Sequence, residues 1–267
     1  MEEPNFSRPT EIVIVDGILS DFDGTIIDST DAIVKYWQMV SQDLDVDYKE
    51  IIKTAHGRRS IDTLKQYDPT KATWEYVCHM EGLVSKRFGQ DAVEIPGARS
   101  LLASLETLNA PWAIVTSGTQ PLIEGWLGVM KMARPKTLVT AEDVTEGKPG
   151  WSWIGFSHLF TTCIIDRKML TAVEDPECYL LGRQRLQLIN LEPGNNDKLV
   201  VLEDAPAGIR AGKLANCMVI GLSTSHSIEV LKNAGADWIV RNLESIECFR
   251  GEQDGKLMLR ISNALVM

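Results

Sequence analysis

At 267 residues the chain can bury a sizeable core, and its length suits one large domain or a domain carrying a smaller insert. Hydrophobic residues make up 44% and charged residues 24%, and no apolar stretch approaches the roughly 20 residues that span a bilayer, which excludes fibrous, disordered and membrane-spanning chains. A formal charge of -10 disfavours nucleic acid and anionic lipid as partners, so a small anionic substrate would need a locally positive pocket. Five scattered cysteines lack paired metal-ligand spacing, and the N-terminus has no basic region followed by an apolar one. These features predict a reduced, cytoplasmic protein without structural zinc.

In chain order, the first apolar run is Ile18-Leu19-Ser20, which stops at Asp21 and continues as DFDGT. Residues 31–95 carry helical periodicity and no convincing strand, predicting a small helical lid inserted beside the site. Residues 96–108 open with Pro-Gly and set Leu101, Leu102, Leu105 and Leu108 on one stripe, as a helix does. A second apolar run, Trp112 to Val115, ends in Thr116-Ser117, and a strand is expected at 137–140. A third run, Leu199 to Leu202, ends in Glu203-Asp204, with a helix beginning near Ala207. Strands at 218–222 and 238–240 follow, and Asp254-Gly255 marks a terminal hairpin. Short continuous apolar runs alternating with helical patterns predict an α/β fold with a Rossmann-like parallel sheet, in which ligands bind beyond the carboxyl ends of the strands.

All three polar clusters fall at those ends. Asp21 and Asp23, one residue apart, can share a divalent cation, and hard Mg2+ prefers carboxylate, carbonyl and water oxygens. One such pair is weak, because Asp also favours turns and helix caps. A second acidic pair, Glu203-Asp204, at the end of another strand makes accident a poor explanation. Taken alone, Thr116 reads as an ordinary strand-end hydroxyl and Lys148 as a solvated loop lysine.

The motifs DFDGT, VTSGT, GKP and VVLEDAPAGI resemble the four ordered motifs of the haloacid dehalogenase superfamily. More narrowly, AHGRRSIDTL, IPGA, WAIVTSGT, GKP with a downstream DPECY, and EDAPAGIRAGK resemble the fungal glycerol-3-phosphate phosphatases and 2-deoxyglucose-6-phosphate phosphatases. The resemblance implies a parallel α/β core formed by residues 1–30 and 96–267, and a helical cap at 31–95. It makes Asp21 the nucleophile that forms an aspartyl phosphate, and Asp23 the acid and base that protonates the leaving alkoxide and then activates water. Mg2+ would be held by Asp21, Asp204 and the Asp23 main-chain carbonyl, with Glu203 nearby. Thr116 and Ser117 would bind phosphate oxygens, and Lys148 would supply positive charge. In the cap, His56, Arg58 and Arg59 are the candidate substrate contacts, with a solvated charge cluster as the alternative.

An acid at position 23 also separates chemistries within the superfamily, since a halide leaving group needs no proton and an alkoxide does. The expected substrate is a small sugar or polyol phosphate of the 2-deoxyglucose 6-phosphate or glycerol 3-phosphate type, turned over by a monomer. A sugar phosphomutase, or a catalytically impaired binding protein, is the alternative.

One segment departs from the family pattern. Between GKP and DPECY lies 150–174, with two tryptophans and two phenylalanines but no helical stripe or strand alternation; deleting it restores GKPDPECY in register. It reads as the translated product of a retained intron, with a genuine insertion forming an apolar flap as the competing reading.

Overall fold

A computed structural model describes residues 4–55, 58–145, 176–188 and 198–266. Lys148, His56 and the 150–174 segment lie outside the described residues. The elements in chain order are β1 (Glu11–Ile14), β2 (Gly17–Ser20), β3 (Ile27–Asp28), α1 (Thr30–Gln42), α2 (Tyr48–Ala55), α3 (Ser60–Tyr67), α4 (Trp74–Glu81), α5 (Val84–Phe88) and β4 (Val93–Glu94). They continue as α6 (Ala98–Thr107), β5 (Trp112–Val115), α7 (Gln120–Met130), β6 (Thr137–Val139), α8 (Glu177–Arg185), β7 (Leu199–Glu203), α9 (Pro206–Leu214), β8 (Met218–Leu222), α10 (Ile228–Ala234), β9 (Trp238–Val240), β10 (Ile246–Arg250) and β11 (Leu257–Ile261).

Six strands form one parallel sheet in the order β6-β5-β2-β7-β8-β9. The apolar runs are continuous because both faces of this sheet are covered. Ile18, Ile114, Val200 and Leu202 pack into one core cluster, while Leu19, Ala113, Val115, Leu199 and Val201 pack into another. Successive residues thus alternate between two apolar layers, and no polar face is left to interrupt the run.

The register fixes what meets at the sheet's carboxyl edge. Ser20 stands beside Ile114 on β5 and Leu202 on β7, so the next residues, Asp21, Val115 and Glu203, emerge side by side. Glu203 is the last residue of β7 rather than the first beyond it, because its ladder with β8 continues to Gly221.

The terminal hairpin forms as the sequence predicts, with Cys248 opposite Leu259 and Gly255 at φ 65° in its turn. Its β11 also pairs with β1, giving a second, antiparallel sheet in the order β1-β11-β10. Between β3 and β4 the chain forms the five helices α1 to α5, and those two short strands pair antiparallel, Ile27 with Glu94 and Asp28 with Val93. The two ends of the insert therefore lie side by side, paired in a small sheet of their own. In α1, Ala32, Tyr36 and Val40 recur every four residues and are buried together with Trp37, the stripe that packs this helix down. Among the described residues no helix is long and apolar enough to cross a membrane, and Cys78, Cys178, Cys217 and Cys248 are free thiols.

Candidate active site

Where β2 ends, the Asp21 amide still donates to Leu202 O on β7, and the chain then turns sharply, with Ile26 N–H donating to Phe22 O and Gly24 N–H to Ile27 O. Gly24 sits at φ 88°, and a Cβ there would lie 2.2 Å from Asp204 Oδ2. The glycine of DFDGT is thus required twice over, by its left-handed backbone and by the close approach of the second acidic motif.

Asp21, Glu203 and Asp204 are buried, and their carboxylate oxygens lie within 4.8 Å of one another. Supporting groups hold Glu203, Asp204 and the neighbouring Asp23 in place. Tyr179 on α8 donates its hydroxyl to Glu203 Oε1 at 3.0 Å, and the Ala205 amide donates to Oε2 at 2.8 Å. Gly208 on α9 leaves the room this needs, since a Cβ there would overlap Glu203 Oε1. Thr25 Oγ1 faces Asp204 Oδ1 at 3.4 Å, and Ser29 donates to Asp23 Oδ1. Three converging carboxylates make an all-oxygen donor set that suits a hard divalent cation, and their mutual repulsion is a cost that such a cation offsets. The residues present therefore fit Mg2+: Asp21, Glu203 and Asp204 would hold it by their carboxylates. The Asp23 side chain stands apart from this cluster.

A cavity of about 490 Å³ opens above these acids, between the sheet edge and the inserted helices. Asp21, Asp23 and Asp204 line one part of it, Ser117 and Gly118 another, and Arg58 reaches it from the insert. Thr116 is buried beneath that wall, where its Oγ1 accepts the Gly118 amide at 3.0 Å and shapes the turn that presents Ser117.

Arg59 does not reach the cavity. It is 2% exposed, and its guanidinium turns toward the segment after β6, donating through Nη1 to Val144 O at 2.8 Å and Ala141 O at 3.3 Å and through Nη2 to Thr145 O at 3.1 Å. Its Nε donates to Asp62 Oδ2 at 2.6 Å. The expected substrate contact is instead a staple between insert and sheet domain, because carbonyl oxygens distant in sequence supply the acceptors a buried guanidinium needs. Of the expected cap contacts, only Arg58 is brought to the cavity among the described residues.

Glu81, at the end of α4, lines the same cavity and is 4% exposed. It accepts from Ser60 Oγ and from the Thr119 amide at 2.8 Å. Burial, with a smaller contribution from the charge of Asp23, pushes its carboxyl up from 4.5 to about 7, against the opposing effect of its hydrogen bonds. A carboxyl raised on folding favours the native state fully below the unfolded pKa of 4.5, and that benefit is lost as pH rises through about 7. Glu81→Gln removes the titration. Between pH 4.5 and 8, urea unfolding should show the variant gaining on the wild type by on the order of 3 kcal/mol; a gap that does not change with pH would count against it.

Buried acids at the tips of adjacent parallel strands, beneath an inserted set of helices, form the candidate active centre of a Rossmann-like α/β protein. The family model for haloacid dehalogenase-like hydrolases matches residues 18–175, more than half of the chain. The chain belongs to that family. It is 36% identical over 246 residues to glycerol-1-phosphate phosphohydrolase 1 of Saccharomyces cerevisiae, covering 91% of this chain and 88% of that protein. It is 31% identical over 264 residues to 2-deoxyglucose-6-phosphate phosphatase 2 of the same yeast, covering 94% and 97%. A hydrolase from Pseudomonas syringae of known structure shares the fold at a TM-score of 0.64 and 22% identity, over 85% of this chain and 94% of that one.

Proposed function

We propose that this protein is a Mg2+-dependent phosphatase that releases inorganic phosphate from a small polyol or sugar phosphate, through a phosphoryl group carried on Asp21. The observation that carries this reading is the convergence of Asp21, Glu203 and Asp204 at one cavity that Asp23 also lines. Bound Mg2+ would supply positive charge that offsets repulsion between a carboxylate nucleophile and an anionic ester.

The chain's own residues account for the remaining chemistry. Asp21 attacks phosphorus and expels the alkoxide, and Asp23, held by Ser29, gives the alkoxide its proton. In the second half, Asp23 takes a proton from a water molecule that attacks the phosphorus carried on Asp21; the bond between the Asp21 oxygen and phosphorus breaks, which frees the Asp21 carboxylate and releases inorganic phosphate. Ser117 and the backbone around Gly118 bind phosphate oxygens, with Thr116 holding their turn. Motif position alone assigns Lys148 the neighbouring positive charge. Residues 31–95 act as a cap that closes the cavity over the alcohol part of the ester, with Arg58 facing it.

The test is phosphate release from glycerol phosphates, hexose and deoxyhexose 6-phosphates, and hexitol phosphates. Release should require Mg2+, stop on chelation and return when Mg2+ is added back. Activity that survives exhaustive chelation would remove the metal from this reading, and no release from any ester would end it.

A further inference from the structure

Glu81 lies where the insert meets the loop after β5, amid more hydrogen-bonding capacity than the cluster satisfies internally. An ionised carboxylate offers about four acceptor directions. Two are taken, one by Ser60 Oγ and one by the Thr119 amide. A further hydroxyl, that of Tyr36 on α1, is buried at this junction without a partner in bonding geometry among the described residues, while the Thr119 hydroxyl is turned toward Glu81. Both act on or feel the Glu81 charge: Thr119 helps stabilise the carboxylate, and the Tyr36 phenol is raised well above its usual value, first by burial and then by Glu81, with the Ser60 hydroxyl offsetting part of the rise.

Unmet buried hydroxyls cost stability unless something else completes them. Tyr36, Ser60 and Glu81 all line the cavity that contains Asp21 and Asp23, whereas Ile33, Val34, Ile52 and Leu122 give other parts of its wall no hydrogen-bonding side chains. An ester whose phosphorus meets Asp21 must lodge its alcohol portion in this remaining space. Arg58 also lines this cavity, and polar groups set among apolar lining are what fix a ligand's orientation and identity.

We propose that Glu81, with Tyr36 and Ser60, recognises a hydroxyl on the alcohol portion of the substrate, so that this trio selects polyol and sugar phosphates over phosphate esters without hydroxyls. The inference rests on the phosphatase reading above and names the residues that set its substrate class. The hydroxyl donates to a free acceptor direction of Glu81 and accepts from Tyr36, which completes both.

The test compares glycerol phosphate with n-propyl phosphate, which has the same carbon chain without the free hydroxyls, as substrates of the full chain. The wild type should favour glycerol phosphate in kcat/KM by roughly a hundredfold or more. Tyr36→Phe should cut that preference about tenfold and Glu81→Gln by at least as much, mainly through KM for the hydroxylated ester. Circular dichroism and melting curves check that the variants fold, and Ser60→Ala gives a third, smaller truncation of the same trio. A preference unchanged in folded variants, or a wild type that does not discriminate, would overturn the proposal and leave the phosphatase reading standing. A wild type that releases phosphate from neither ester nor from the wider panel would instead remove the phosphatase reading and this inference with it.

Discussion

Asp21→Asn should lower phosphate release by roughly 10⁴-fold or more while leaving the protein folded. The amide keeps the size and shape of the side chain at the tip of β2, so the packing around it has no reason to change. It removes the charge and nucleophilicity that bond formation to phosphorus requires. Magnesium binding reports on the same residue independently of turnover. Replacing one of three carboxylates that converge within 4.8 Å leaves a weaker cation site, so Mg2+ should raise the melting temperature less in the variant than in the wild type. Asp23→Asn provides the contrast. Its loss should be about 10²- to 10⁴-fold on alkyl phosphates, whose alkoxides need a proton, and much smaller on p-nitrophenyl phosphate, whose phenolate leaves without one. Equal losses on both esters would take the proton-donor role away from Asp23, and an Asp21→Asn variant within tenfold of wild type would take the nucleophile role from Asp21.

These expectations trace to features that were local in the sequence. β2, β5 and β7 are legible because a strand buried on both faces writes an unbroken apolar run, and the acids stand at its end. The antiparallel pairing of β1 with β11 is not legible in the same way, because Glu11–Ile14 finds its partner at the far end of the chain. The two-residue strands β3 and β4 are too short to write any period. Within the site, Gly24 was visible as part of its motif, but the reason for it, Asp204 approaching from another strand, is visible only in three dimensions. Tyr179 stood in a recognisable motif, DPECY, without an assigned role until its hydroxyl met Glu203.

Glu81 escaped for a different reason. In WEYVCHME it reads as one more polar position on an amphipathic helix, and nothing local says that it is buried against a loop nearly forty residues later. Arg59 shows the opposite error. A dense basic stretch beside an expected active site reads as ligand recognition, but charge density does not say which way a side chain turns. Backbone carbonyls more than eighty residues away decide that.

That difference gives Arg59 a sharp test. A guanidinium 2% exposed that holds three carbonyl oxygens and Asp62 makes charge-assisted bonds largely shielded from water, and removing it leaves the buried carbonyls of Ala141 and Val144 without this donor. Arg59→Met keeps much of the stem's packing, yet should destabilise the protein by about 3–5 kcal/mol in urea unfolding. Two features keep the loss from being larger. Asp62 retains its bond from Lys65 at 2.9 Å, and the segment after β6 keeps the Thr140–Asp143 capping box and the Arg185–Asp143 ion pair. Burial alone would raise the Asp62 carboxyl, but hydrogen bonds from Arg59 and Lys65 outweigh it and hold it below its usual value. Its stabilising contribution is therefore present above the unfolded pKa and lost as pH falls through the depressed folded one, so the Arg59→Met deficit should shrink in acid. Arg59→Lys supplies the charge without the planar fork that reaches several carbonyls together, and should recover only part of the loss. A residue that bound substrate would behave otherwise: Arg59→Met would raise KM with stability intact, and that outcome would return Arg59 to the cavity wall and dissolve the staple.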